Sequence, residues 1–210
     1  MSIREALVVA TICFGLFTLW SVQAVLDGFP DAEFSDASNV IGIGLELALG
    51  GFALLYLRMR DFDVGALYPR PGLGGALVGL ALYAAIWVAW AAVMPLFARE
   101  DGAPEVVAFS YSGSSLALIV LFAMVNGAFE EIFLLGVMAR GLRHHGLSVA
   151  VGLPLLVRIL YHLYQGPAGV VSVLVFGLIL TAYYLRSGRL WPVVFAHILA
   201  DIVPFVLGEG

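Results

Sequence analysis

Seven ionisable side chains stand inside long hydrophobic runs of this sequence: Glu46, Glu130, Glu131, Arg158, His162, His197 and Asp201. A charge held in hydrocarbon is costly unless it is paired, so each of them is by default a candidate for function. Six of the seven fall in three C-terminal runs, which points to one shared site. Their spacing sharpens that reading. Asn126 and Glu130, Arg158 and His162, and His197 and Asp201 are each four residues apart. Residues at that spacing share one face of a helix. Three otherwise apolar helices therefore each present a polar pair, and the three faces can converge on a common interior.

Carboxylates and imidazoles in a water-poor pocket can hold and activate a water molecule. With Arg158 beside the Glu130–Glu131 pair, one carboxylate can be ion-paired and the other left as a base. His197 and Asp201 could ligate a divalent metal such as zinc together with a glutamate. The same side chains could instead donate hydrogen bonds to an oxyanion. Blander roles exist for each residue: a structural ion pair for the glutamates and Arg158, a helix–helix hydrogen bond for His162, a transporter's proton relay for His197 and Asp201. Glu46 stands alone among Leu, Ala and Gly. It reads as structural or pore-lining, outside the site.

The elements that must position these groups are membrane spans. Of 210 residues, 62% are hydrophobic and 12% charged, against roughly 25% charged in soluble domains. Apolar stretches of ~20 residues recur, the length that crosses ~30 Å of hydrocarbon. Seven candidate spans run 6–26, 40–57, 73–98, 115–139, 147–164, 168–185 and 190–207. The first is too long for a signal-peptide core and reads as a retained helix. The fifth and sixth are joined only by Gln165-Gly166-Pro167, a tight turn. With seven crossings, Arg4, Arg58, Arg60, Arg70, Arg140, Arg143, Arg186 and Arg189 fall on one side and only Arg99 on the other. The second side collects Asp27, Asp31, Glu33, Asp36, Glu100, Asp101, Glu105 and Glu209. Arginine-rich loops stay cytoplasmic, so the N-terminus is expected inside a bacterial-type cytoplasmic membrane and the C-terminus outside.

The expected fold is an all-α, polytopic transmembrane bundle forming one domain over 1–210, with N-terminal spans in 1–110 and core spans in 111–210. The single cysteine, Cys13, rules out an intramolecular disulfide and reads as a small buried hydrophobe. His144 and His145 belong to a solvated loop. No basic stripe suggests nucleic acid. The partners expected are the lipid bilayer and a peptide or protein substrate at the membrane.

The motif order resembles the CPBP family of intramembrane proteases, which includes the CAAX prenyl endopeptidases and bacteriocin-immunity-type (Abi-like) relatives. That family's pattern is EExxxR, then FxxxH, then HxxxN or HxxxD. Here the segments read Glu130-Glu131-Ile-Phe-Leu-Leu135, Arg158-Ile-Leu-Tyr-His162 and His197-Ile-Leu-Ala-Asp201. The resemblance covers about 126–205. It departs in two places: Leu135 replaces the motif arginine, and Arg158 replaces the phenylalanine. The two departures suggest a guanidinium moved to the neighbouring helix, still reaching Glu131.

The resemblance implies a CAAX-protease-like core and an endopeptidase using a Glu/His-activated water within the membrane. Glu130 would be the general base or metal-linked carboxylate. Glu131 would pair with Arg158 and orient Glu130, His162 would help activate the water, and His197 with Asp201 would complete a metal site or oxyanion hole. A metal, if used, would draw on Glu130, His162, His197 and Asp201; a metal-free glutamate mechanism is the other option. The alternatives to a protease are a proton-coupled transporter and a non-catalytic immunity or scaffold protein.

Overall fold

Stretches of Leu, Val, Ala and Phe with few backbone-competing residues favour helices, and in hydrocarbon a helix satisfies every backbone polar group internally. The structure, a computed structural model, describes residues 1–97, 107, 109–110 and 113–207. Arg99, Glu100, Asp101, Glu105 and Glu209 lie outside the described residues. The helices are α1 (Ile3–Leu26), α2 (Asp36–Met59), α3 (Leu73–Val93), α4 (Leu116–Glu131), α5 (Leu147–Tyr161), α6 (Gly166–Ser187) and α7 (Leu190–Leu207). A short parallel pair, β1 (Ala32–Glu33) and β2 (Phe109–Ser110), joins two loops.

Serine side chains cap the starts of α1, α2 and α4, as Ser2, Ser35 and Ser115 each accept a hydrogen bond from the first turn. Gly188, at φ 66, ends α6 in the left-handed conformation that a side chain disfavours. The Gln165-Gly166-Pro167 join is indeed tight: a one-turn 3-10 segment, Leu163–Gln165, runs straight into Pro167 in the first turn of α6.

Six helical segments are long and apolar enough to cross a membrane. The seventh, α5, has 15 residues, about 22 Å at the α-helical rise. Large apolar side chains such as Leu19, Leu47, Phe52, Leu77 and Val88 point outward and are exposed. Such a surface suits lipid and not water, and the chain is a multi-pass membrane protein. α4 is the central helix. Half of its membrane window is buried, 50% against 17–33% for the other five spans.

Successive helices run in alternating directions. At one end, His145 Nε2 lies 3.3 Å from Met1 O, Arg60 pairs with Glu5 at 2.7 Å, and Trp191 Nε1 donates to Gly72 O at 3.0 Å. These contacts gather the start of α1, the end of α2 and the starts of α3, α5 and α7. The eight loop-associated arginines from Arg4 to Arg189 belong to this end. At the other end, Ser115 N donates to Asp36 Oδ1 at 2.6 Å and Tyr164 N to Ser21 Oγ at 2.9 Å.

Candidate active site

Both glutamates sit where α4 changes character. Glu131 ends the α-helical part, and Ile132–Ala139 continues as a π-helix. π-helical turns are rare and recur at functional sites because the wider turn re-aims side chains. Here two adjacent carboxylates are both taken inward: Glu130 is 5% exposed and Glu131 0%.

Arg158 of α5 joins them. Its Nη2 donates to Glu131 Oε1 at 2.7 Å and its Nη1 to Glu130 Oε2 at 3.3 Å. The guanidinium lies over the Phe176 ring of α6, 5.2 Å from its centroid. Space for it comes from Gly177, where a methyl group would stand 2.7 Å from Leu155 Cδ2 and 3.1 Å from Arg158 Cδ.

From α7, His197 places Nδ1 2.6 Å from Glu131 Oε1. A carboxylate oxygen only accepts, so Nδ1 carries the proton. Nε2 then faces Glu130 Oε2 at 3.9 Å and Asp201 Oδ1 at 3.7 Å. Asp201 is held in turn by Asn126 Nδ2 at 3.0 Å. The close approach of α4 and α7 depends on Gly127, where a methyl would lie 3.2 Å from Ile198 Cγ1 and 3.4 Å from His197 Cβ.

Five of the six residues expected at the site, Glu130, Glu131, Arg158, His197 and Asp201, thus form one connected polar network. His162 stands apart from it at the end of α5. Its Nδ1 is 2.9 Å from the Arg158 carbonyl. Because a carbonyl only accepts, this nitrogen too carries the proton. Among the described residues, the donors lying within 4.8 Å of one another are Glu130, Glu131 and His197; His162 and Asp201 are outside that group.

One participant escaped the sequence reading. Tyr161 OH donates to Glu130 Oε2 at 2.5 Å, from the same face of α5 as Arg158. The available signal was its i+3 spacing from Arg158.

A cavity of about 1300 Å³ adjoins the cluster. Glu130, Arg158, Tyr161, His162, His197 and Asp201 line its inner part, and Pro30–Phe34 and Val107 its far part. It occupies the half of the bundle opposite the arginine-bearing end. Glu131 does not line it, being fully buried behind Glu130. Glu46 does line it, which gives the pore-lining option for that residue a structural basis.

Residues 112–203 match the family model described as Type II CAAX prenyl endopeptidase Rce1-like. No curated protein matches the chain, and no solved structure does.

Proposed function

From the match of residues 112–203 to the Rce1-like CAAX prenyl endopeptidase family model, we propose that the protein is an intramembrane endopeptidase whose general base is Glu130. The observation that carries this reading is the shared wall of one cavity: Glu130, Arg158, His162 and His197 all border it, and Glu131 stands behind them, bound to Arg158. Tyr161 and Arg158 both use Glu130 Oε2, which leaves Oε1 to take a proton from a cavity water. The resulting hydroxide attacks the peptide carbonyl, its oxygen bonding to carbon. The C–N bond then breaks as the proton on Glu130 passes to the leaving amine. With Nδ1 protonated in each ring, the Nε2 atoms of His162 and His197 remain to orient the water and the reacting peptide. Glu131 acts as a positioning residue. It fixes Arg158 and the His197 tautomer but cannot touch substrate, being fully buried.

The residues do not suit a resident divalent metal. Of the three donors close enough to share one, Glu130, Glu131 and His197, both carboxylates already hold the Arg158 guanidinium, whose charge would repel a second cation. Glu131 Oε1 is also committed twice, to Arg158 and to His197.

The arginine-bearing end is assigned to the cytoplasm by the charge rule. The cavity then opens toward the outer face, and the substrate is a membrane-associated peptide segment presented from that side. The decisive experiment incubates the full-length protein in lipid nanodiscs with a synthetic library of apolar-anchored peptides, with products read by mass spectrometry. Cleavage by the wild type and none by folded Glu130→Gln supports the assignment. Equal cleavage by both sinks it.

A further inference from the structure

Two polar side chains of α2 are buried and, among the described residues, have no hydrogen-bond partner on one atom each. Asn39 is 3% exposed and its Nδ2 is unpartnered; Glu46 is 4% exposed and its Oε2 is unpartnered. A buried polar atom left without a partner is destabilising, so such an atom facing a cavity is suited to a ligand that supplies the missing hydrogen bond. Both residues line the cavity that Glu130 and His197 line. Both lie outside the family-matched segment 112–203.

Their placement follows from the face of α2 that meets α4. Gly42, Glu46 and Gly50 recur every fourth residue, and small residues let two helices approach closely. A methyl at Gly42 would stand 2.8 Å from Phe122 Cε2, and one at Gly50 would stand 3.3 Å from Phe133 Cε2. Glu46 is therefore carried between these contacts toward the α4 face bearing Asn126 and Glu130. It is near enough to feel the charges of Glu130, Asp201 and His197. Asn39 lies two turns earlier on the same face.

We infer that Asn39 and Glu46 form the substrate-binding wall of the cavity and hold the main chain of an extended peptide. Asn39 Nδ2 donates to a peptide carbonyl, and the Glu46 carboxyl accepts a peptide N–H. Along the helix the two are roughly 10 Å apart at the α-helical rise. An extended chain advances ~3.3 Å per residue, so the two contacts fall about three residues apart on the substrate. Recognition through the main chain gives α2 a role in affinity for peptides in general and not for one side chain. This inference rests on the endopeptidase reading and names the substrate contacts of that same site.

The test uses the full-length chain in nanodiscs and the peptide of the synthetic library that the wild type cleaves best. Losing one main-chain hydrogen bond is expected to raise KM roughly 3- to 10-fold in Asn39→Ala and in Glu46→Ala, with kcat within about twofold. Glu46→Gln keeps an acceptor oxygen and is expected to restore KM to near the wild-type value. Unchanged KM in both alanine variants overturns the inference. So does a fall in kcat at constant KM, which would move Glu46 into the chemistry. If Glu46→Gln behaves like Glu46→Ala, the carboxylate charge and not the acceptor matters, and the main-chain contact is refuted. Peptide retention by Glu130→Gln protein, with and without the α2 substitutions, separates the two readings. Retention that depends on Asn39 and Glu46 without any wild-type cleavage keeps the inference and rejects proteolysis. Absence of both rejects the inference as well.

Discussion

Arg158 and Glu131 meet at 2.7 Å between α5 and α4, although the arginine expected from the family pattern, four residues after Glu131 on the same helix, is Leu135 here. Leu135 is 1% exposed and packs among Leu180, Val193 and Ala196. The guanidinium thus reaches the glutamate pair from the neighbouring helix, in the place of an aromatic side chain. The relocation keeps the charge balance of the buried pair while changing which helix supplies it.

Removing that balance is expected to be severe. Arg158→Met leaves two buried carboxylates facing each other, and breaking a buried ion pair by deleting one partner costs about 3–5 kcal/mol. The double variant Arg158→Met/Glu131→Gln removes one charge of each sign and is expected to recover part of that loss. Thermal unfolding of the detergent-solubilised single and double variants checks this. Simple additivity would mean the pair is not coupled.

Tyr161→Phe deletes the hydroxyl that donates to Glu130. A hydrogen bond to a charged group is worth about 1.5–3 kcal/mol. The variant is expected to fold, to lose stability on that scale or less, and to cleave roughly tenfold more slowly. Rate and melting temperature measured on one preparation separate the two effects.

Chelation distinguishes the mechanisms. With Arg158 already occupying the space between the carboxylates, prolonged dialysis against EDTA is expected to leave peptide cleavage unchanged. Added zinc is expected to give no stimulation. Loss of activity on chelation, restored by one metal alone, would require rewriting the role of Arg158.

Orientation is accessible through introduced thiols, because the chain has a single native cysteine to remove. Cys13 is fully buried, and a Cys13→Ala background carrying Asp27→Cys or Arg186→Cys reports on the two ends of the bundle. A membrane-impermeant maleimide applied to intact cells is expected to label the Asp27 position and not the Arg186 position. The reverse pattern would turn the cavity toward the cytoplasm.

Local composition was enough to reveal the spans, because crossing hydrocarbon imposes length and apolarity on each segment separately. The arginine distribution told which helix ends lie together, since it records an asymmetry along the chain. The i, i+4 polar pairs at Arg158–His162 and His197–Asp201 pointed to the helices that carry the buried polar cluster, because an apolar background makes every charge conspicuous. What the chain order could not convey is how helices rotate and approach one another. The π-helical turn after Glu131 and the close fits at Gly127 and Gly177 arise from packing. They decide that His197 reaches Glu131 while His162 remains outside that network. The same packing turned Tyr161, which looked like an ordinary apolar-helix aromatic, onto Glu130. It also carried Glu46, isolated in its own segment, to the wall of the cavity, because whether a lone polar residue meets a site depends on the neighbouring helix it faces and not on its own sequence context.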